Sequence, residues 1–427
     1  MEKFNLTVSY VSYVSYVSEG EDEISQALTL KSEIFLISLA IFCQCYACVD
    51  WYFIKTIFDV VDTKQTHLVI DVFLPFWVTV HSCGKLAGAY FFGKFIQQNY
   101  FKIMRSITLI FLVGVVLISI ILFQGQSFYS SYQTLYFLCF LTSMPFYALP
   151  IISAIYLFDK HPPSQHILIG TSIIFALFSS RFVFRLFMKV MPFEQTQIGC
   201  VIATFVTCLA FLIYAYVEKH STPTEPKRIK KRPFSFAQKV NCIFIALGWN
   251  LGCYYNCFFI GPFMKNIYVI DRYIFAGFTV CYLAKILFLV PAAVLCKKFG
   301  PMKVLTISLY AMLVVGLSIP FMELTKNSFS FILTLLGFCS ACTFVPILII
   351  MYQYYQSTKN LFATLFWFAF GATISTLIFS LVAHLTKSLN FTFGGMFMFI
   401  VCVALSLIGV KATQPRKITE VCTKLAA

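Results

Sequence analysis

Apolar stretches long enough to cross a membrane recur along the chain from residue 33 to about residue 412. A transmembrane helix needs roughly 20 consecutive apolar residues. Polar and proline-rich segments interrupt the pattern and divide it into twelve predicted helices, which we number as spans 1 to 12. They cover residues 33–57, 68–94, 103–123, 131–158, 166–190, 197–217, 239–264, 273–296, 303–324, 328–355, 361–386 and 391–411. The pattern therefore predicts an all-α polytopic membrane protein.

The longest and most charged internal connection separates the spans into two groups of six. The repeat VSYVSYVSYVS near the start has a period of three, which fits neither a helix face nor a strand face, so we expect a disordered tail there. The predicted organisation is a cytoplasmic tail at 1–32, an N-terminal half at 33–217, a basic cytoplasmic linker at 218–238, a C-terminal half at 239–412 and a cytoplasmic tail at 413–427.

Composition and charge placement agree with a membrane protein. Hydrophobic residues make up 59% of the chain and charged residues only 11%, where soluble domains have roughly twice that charged fraction. The net charge is +15, and Lys and Arg cluster in the linker, in other even-numbered loops and in the C-terminal tail, which predicts that these loops and both termini are cytoplasmic. We therefore expect a lipid bilayer around the protein and no nucleic-acid partner. The Lys-, Ile- and Phe-rich usage suits a bacterial inner membrane.

Six plus six spans around a basic central loop resemble the layout of the major facilitator superfamily. That family has a cytoplasmic signature after spans 2 and 8, with a glycine, an acid four positions later, a second glycine and basic residues. Gln97 and Lys297 stand where the acids belong. The resemblance implies two pseudo-symmetric halves that rock about a central site, in a protein that functions as a monomer. The signature positions are Gly93, Gln97 and Lys102 in the first copy, and Lys297, Lys298 and Gly300 in the second.

The segment CVDWYF in span 1 is similar to the Glu-Trp-Tyr-Asp-Phe element of the metabolite:proton symporter branch of this superfamily. That branch includes proline/betaine and dicarboxylate carriers. Asp50 matches the Glu, and Trp51 and Tyr52 match directly. The segment YYNCFFIGPFM in span 7 also resembles the branch. The resemblance implies proton-coupled uptake of a small metabolite.

Charged residues inside a bilayer are costly and therefore informative. Asp50 in span 1 is either a protonatable carboxylate that couples transport to protons or part of an ion pair that locks helices together. Arg181 in span 5 and Lys285 in span 8 either face a central cavity or extend towards the membrane surface, as we expect of Arg185 and Lys189. Two cations against one carboxylate would leave a positive cavity, which favours a substrate that bears a carboxylate.

Aromatic and amide side chains on spans 1 and 7 complete the predicted substrate pathway. The alternative is that these side chains face lipid or only pack, since aromatic residues make up 18% of the chain. An aromatic site for a quaternary ammonium group remains open. The candidates are Trp51, Tyr52, Asn250, Tyr254, Tyr255 and Asn256.

We therefore predict a secondary active transporter, proton-coupled, that imports a small carboxylate-bearing metabolite such as an amino acid, betaine or dicarboxylate. The alternatives are an exporter on the same fold and a receptor or scaffold that does not transport. We expect no enzyme, cofactor or metal site, because the six histidines lie mostly at loops or span ends and have no zinc-type spacing. No Gly-x4-Gly-Lys-Ser/Thr nucleotide-binding run is present, and the cysteines in CQCYACVD point to different sides of a helix.

Overall fold

A computed structural model of the protein describes residues 31–43, 74–95, 132–190, 232–254, 271–318 and 326–386, with isolated positions in spans 3 and 6. The predicted span 12 and the C-terminal tail lie outside the described residues, as does the N-terminal tail up to residue 30.

Every regular element within these described ranges is a helix. The helical residues 31–43 form α1, and a single 3-10 turn, Pro163–Gln165, precedes α4. The other helices are α2 (Leu74–Phe95), α3 (Tyr132–Lys160), α4 (His166–Val190), α5 (Phe236–Tyr254), α6 (Asp271–Leu287), α7 (Leu289–Phe299), α8 (Pro301–Ser318), α9 (Lys326–Thr358) and α10 (Leu361–Thr386).

Several helices are suited to a membrane by length and composition. Three segments are long and apolar enough to cross one, namely Pro163–Val183, Ser330–Thr358 and Leu361–Ile378. The bent pair α6 and α7 supplies a fourth if it is counted as one span. The protein is therefore built as a helical membrane protein.

Local sequence signals set the helix starts. The prediction for spans 5 and 11 coincides with α4 and α10, and the side chain of Asn360 caps α10 by accepting a hydrogen bond from the Ala363 N–H at 3.0 Å. Helix α5 begins three residues earlier than predicted. Ser235 and Gln238 form a reciprocal capping box there, in which each backbone N–H donates to the other side chain, at 2.9 and 3.2 Å.

Span 8 is predicted as one helix, and the structure corrects this to two. Helices α6 and α7 meet at Phe288 with a bend of 42°. Pro291 explains the bend, because proline lacks an N–H and its ring clashes with the carbonyl four residues earlier, here that of Leu287. The hydrogen bonds from Phe288 N–H to Ala284 O (2.9 Å) and from Ala292 N–H to Phe288 O (3.0 Å) are kept. The span bends without unwinding.

The packing of the described helices repeats between the two predicted halves. Helix α2 (span 2) packs against α3 (span 4) in its own half and against α10 (span 11) in the other. Helix α6 (span 8) packs against α9 (span 10) in its own half and against α4 (span 5) in the other. Exchanging the halves turns the pairs 2–4 and 2–11 into 8–10 and 8–5, so α2 and α6 occupy equivalent places.

Candidate functional site

Lys285 lies in α6, close to the middle of predicted span 8, and only 2% of the residue is exposed. Its Nζ lies 4.6 Å from the centre of the Tyr282 ring and 5.6 Å from the centre of the Phe178 ring of α4. A cation over an aromatic face gains roughly 0.5–2 kcal/mol. The two rings therefore offset part of the cost of holding this charge among apolar helices.

A close approach of two helices fixes the position of Lys285. A Cβ atom at Gly337 of α9 would lie 2.8 Å from both the Ala284 Cβ and the Cys281 carbonyl of α6. Only glycine permits this distance, so α6 and α9 touch backbone to backbone directly beside Lys285. One turn further on, Phe288 packs edge-on against Phe338 with ring centres 4.9 Å apart. The bend and the buried cation thus share one helix interface.

Arg181 of α4 is the second buried cation, with 8% of the residue exposed. It follows Phe178 by three residues, which places both on one side of α4. The Phe178 ring contacts Lys285, so the buried Arg181 lies one turn of α4 from a ring that touches the first cation. We call Phe178, Arg181, Tyr282 and Lys285 the basic centre. The side chains of Arg185 and Lys189 lie outside the described residues.

Further rings extend the basic centre across both halves. Phe178 meets Phe344 of α9 edge-on, with ring centres 4.9 Å apart, and Phe344 meets Trp249 of α5 at 5.2 Å. The Trp249 Nε1 is buried and has no hydrogen-bond partner among the described residues. The site is therefore lined by aromatic faces, two cations and an indole N–H donor, a combination suited to an anion with an apolar part.

The other predicted site residues of spans 1 and 7 are described only in part. The Asn250 side-chain nitrogen donates to Ala372 O at 2.9 Å and to Ser375 Oγ at 2.6 Å, which ties α5 to α10. Tyr254 is the last residue of α5, and its side chain lies outside the described residues. The remaining candidates lie entirely outside the described residues, so the roles predicted for them stay predictions. They are Asp50, Trp51, Tyr52, Tyr255 and Asn256.

The signature positions after spans 2 and 8 lie at helix ends. A Cβ on Gly93 would be 3.1 Å from the Phe362 Cα, so α2 and α10 approach closely there. Lys297 and Lys298 are exposed in the last turn of α7, where cations interact favourably with the helix dipole. Gly300 follows with φ 83° and ends the helix. Gln97 and Lys102 lie outside the described residues.

A second polar group, which we call the end junction, joins the ends of α3 and α9. The Tyr352 hydroxyl donates to Phe158 O at 2.9 Å and accepts from Gln356 Nε2 at 2.7 Å. Asp159 lies 3.5 Å from the hydroxyls of Tyr352 and Tyr355, and 3.6 Å from Lys359 Nζ. Opposite charges from the two predicted halves thus face each other.

The end junction continues onto α1 and onto the linker. Glu33 forms an ion pair with Lys160, and its other oxygen lies 2.8 Å from His161 Nε2. On the opposite side, the Arg232 N–H donates to Thr358 O at 2.8 Å. The start of α1, the loop between α3 and α4, the linker and the loop between α9 and α10 therefore meet at one end of the bundle.

Sequence reasoning missed the rings of the basic centre and the whole end junction. A signal for the rings exists, because each buried cation follows an aromatic residue by three positions, Phe178 before Arg181 and Tyr282 before Lys285. For the junction no local signal exists, since Asp159 and its partners at 352–359 are far apart in sequence. Among the described residues, no three His, Cys, Asp or Glu side chains gather where they could hold a metal ion.

Comparisons with known proteins add no relative. No protein-family model matches the chain, and no curated protein has significant sequence similarity to it.

Proposed function

We propose that this protein is a secondary active transporter that imports a small carboxylate-bearing metabolite together with protons. The observation that carries the proposal is the basic centre, in which the buried Lys285 of one predicted half lies over Phe178 of the other, one turn from the buried Arg181. The proposal rests on the place and the charge of these two cations.

Buried cations in an apolar bundle point to a function because they are costly. A Lys or Arg at the centre of a membrane helix costs roughly 2.5–3.5 kcal/mol on insertion scales. An anionic substrate gains charge-assisted hydrogen bonds from such cations, and the guanidinium of Arg181 can hold a carboxylate bidentately. The surrounding rings suit an apolar or cationic remainder of the same molecule.

Alternating access requires two bodies that can move about a central site. The repeated packing of α2 and α6 supports two equivalent halves, as the resemblance to the major facilitator superfamily implies. We propose twelve spans in this arrangement and a functional monomer. Asp50 is proposed as a proton-coupling carboxylate in span 1.

The end junction supports the proposed topology. The start of span 1, the linker and the loops after spans 4 and 10 are all predicted to be cytoplasmic, and they meet at one end of the described bundle. We propose that this end faces the cytoplasm, that both termini lie there, and that the membrane is a bacterial inner membrane.

The proposal is tested by uptake into proteoliposomes with an acidic exterior. We expect accumulation of at least one of labelled proline, glycine betaine and succinate, and collapse of that accumulation when a protonophore removes the pH gradient. Prolinamide and the diamide of succinate, in which every carboxylate is replaced by an amide, should not accumulate. No uptake of any of the three carboxylates, with or without the gradient, would rule out import of this substrate class.

A pair of arginine variants locates the site. Arg181→Gln should weaken carboxylate binding by about 10- to 100-fold, because a hydrogen bond to a charged group contributes about 1.5–3 kcal/mol. Arg232→Gln is the matched control, since Arg232 is exposed in the linker, and it should transport as the wild type does. Equal affinity in the two variants would remove Arg181 from the binding site.

A further inference from the structure

A buried histidine lies in the middle of a predicted span. His81 of α2 is only 5% exposed and is the central residue of the predicted span 68–94. The expectation that histidines lie mostly at loops or span ends does not hold for it. Ionisable residues at this depth are rare and commonly mark proton or ion pathways. The burial of His81 at this depth therefore indicates a role beyond packing.

A hydrogen bond from the neighbouring helix holds the His81 imidazole. His81 Nδ1 lies 2.5 Å from the Ser143 hydroxyl of α3. The same hydroxyl lies 2.6 Å from the Cys139 carbonyl oxygen and 3.9 Å from the Cys139 thiol. A hydroxyl can both donate and accept, so Ser143 can serve as the partner of Nδ1 in either protonation state of the ring.

Close helix packing holds this arrangement rigidly. Gly84 and Gly88 of α2 form a Gly-x-x-x-Gly pair on the side that faces α3. A Cβ on Gly84 would lie 2.5 Å from Phe140 O and 2.8 Å from the Ser143 Cβ, and one on Gly88 would overlap the Met144 carbonyl. The two backbones therefore touch directly beside the His81–Ser143 hydrogen bond.

His81 also adjoins a contact between the two predicted halves. The Thr373 hydroxyl of α10 lies 3.1 Å from the carbonyl oxygen of Ser82, the next residue in α2, and donates as well to Ala369 O at 2.9 Å. Protonation of His81 would place a positive charge one residue from this contact between the two halves. Alternating access needs the halves to separate and meet, so this is a suitable place for protonation to act on the movement.

The titratable groups on the described helices around His81 are few. Helix α3 contributes the Cys139 thiol, and α2 itself carries Lys85 four residues further on. Helix α10 contributes hydroxyl groups, among them that of Thr373.

We propose that His81 is a proton-binding site in the membrane interior, which takes up and releases a proton in each transport cycle. The inference rests on the proposed function and adds to it a second proton site besides Asp50. The added proton converts the neutral imidazole to an imidazolium ion and leaves from the same ring nitrogen. The Ser143 hydroxyl can remain hydrogen-bonded to Nδ1 in both forms.

Proton binding is tested directly by nuclear magnetic resonance of the full chain, labelled with ¹⁵N-histidine, in lipid nanodiscs. The His81 signals are those lost in His81→Gln. We expect a neutral imidazole at high pH and its conversion to imidazolium within about pH 5 to 8, the range in which histidines titrate. Signals of His81 that stay in one form across this range would overturn the proposal.

The coupling of proton entry to substrate accumulation is tested in proteoliposomes that contain the dye pyranine as an internal pH indicator. His81→Gln should still exchange labelled proline, glycine betaine or succinate across the membrane at zero pH gradient. It should lose accumulation driven by an acidic exterior, together with the accompanying proton entry. Accumulation by His81→Gln equal to that of the wild type would overturn the coupling role.

His166→Gln is the matched control. His166 is buried to a similar degree, but its Nε2 lies 2.9 Å from Phe158 O and 3.0 Å from His161 O at the start of α4. This variant should keep both accumulation and proton entry, and their loss in it would show that the His81 effect is not specific. If the wild type moves none of the three carboxylates, the proposed function fails while the titration of His81 still decides whether it binds protons.

Discussion

The basic centre and the end junction both lie where helices of the two predicted halves meet, but their charged residues are arranged differently. In the end junction Asp159 faces Lys359, and Glu33 faces Lys160 and His161. In the basic centre Lys285 lies over the rings of Tyr282 and Phe178, and Arg181 is buried on α4. One region pairs opposite charges near helix ends, while the other buries two cations among aromatic rings in the middle of the bundle.

The difference separates a structural role from a binding role. Groups that satisfy one another stabilise the fold they belong to. Charges buried among apolar side chains cost free energy to desolvate, and they are often kept where a ligand or a reaction needs them. Neutralising a residue should therefore have opposite effects on stability in the two regions, and three predictions follow this contrast from the largest effect to the smallest.

The largest effect is expected for Lys285→Met. Methionine fills a similar space without a charge and removes the cost of desolvating the buried ammonium group. Thermal unfolding of the empty variant should therefore occur at the wild-type temperature or above it. Binding of labelled proline, glycine betaine or succinate should weaken by about 10- to 100-fold, because one charged partner is lost. Both quantities are measured on the same purified sample.

Lys303→Met is the control for this variant, because Lys303 is exposed near the start of α8. It should leave binding unchanged. A Lys285→Met protein that unfolds at a clearly lower temperature would show that Lys285 holds the bundle together, and the contrast between the two regions would then disappear.

An intermediate effect is expected for Tyr352→Phe in the end junction. Tyr352 is buried, and its hydroxyl donates a hydrogen bond to Phe158 O and accepts one from Gln356. Its removal leaves the Phe158 carbonyl without this donor, so the free energy of unfolding should fall by about 1–3 kcal/mol. Denaturation with SDS measures the change. Tyr355→Phe should lose less, since its hydroxyl is 3.5 Å from Asp159, and a larger loss there would contradict this account.

The smallest effect is expected for Asp159→Asn. The Asp159 and Lys359 side chains are 41% and 34% exposed, and exposed ion pairs contribute about 0–1 kcal/mol. The loss in free energy of unfolding should stay below about 1 kcal/mol and shrink as salt is added, because salt screens exposed charges. A double-mutant cycle with Lys359→Gln isolates the pair. A coupling that does not depend on salt would indicate that the pair is shielded from solvent.

Much of the helix pattern was predictable, and the exceptions have local causes. Spans 5 and 11 coincide with α4 and α10, whose starts are marked by the prolines at 162 and 163 and by Asn360. The capping box at Ser235 and the bend before Pro291 were equally readable from known local rules. The twelve-span arrangement itself stays a prediction, because several spans lie outside the described residues.

The candidate site was predictable only in part. Arg181 and Lys285 stand out in the sequence because charge is rare among apolar residues, and the structure buries both. His81 does not stand out, since a single imidazole in an apolar run looks the same whether it faces lipid, packs or carries a proton. Its role depends on Ser143, which is on another helix.

The order of amino acids alone is enough to specify helices and a membrane environment, because apolar length and periodicity act locally and independently of the rest of the chain. It also limits where charge can lie within the bilayer. The partners of those charges depend on helix packing, since Asp159 and Lys359, or His81 and Ser143, meet only when glycines and bends let distant helices approach. Contacts between distant residues depend on that geometry, and the sequence pattern contains no local signal for them.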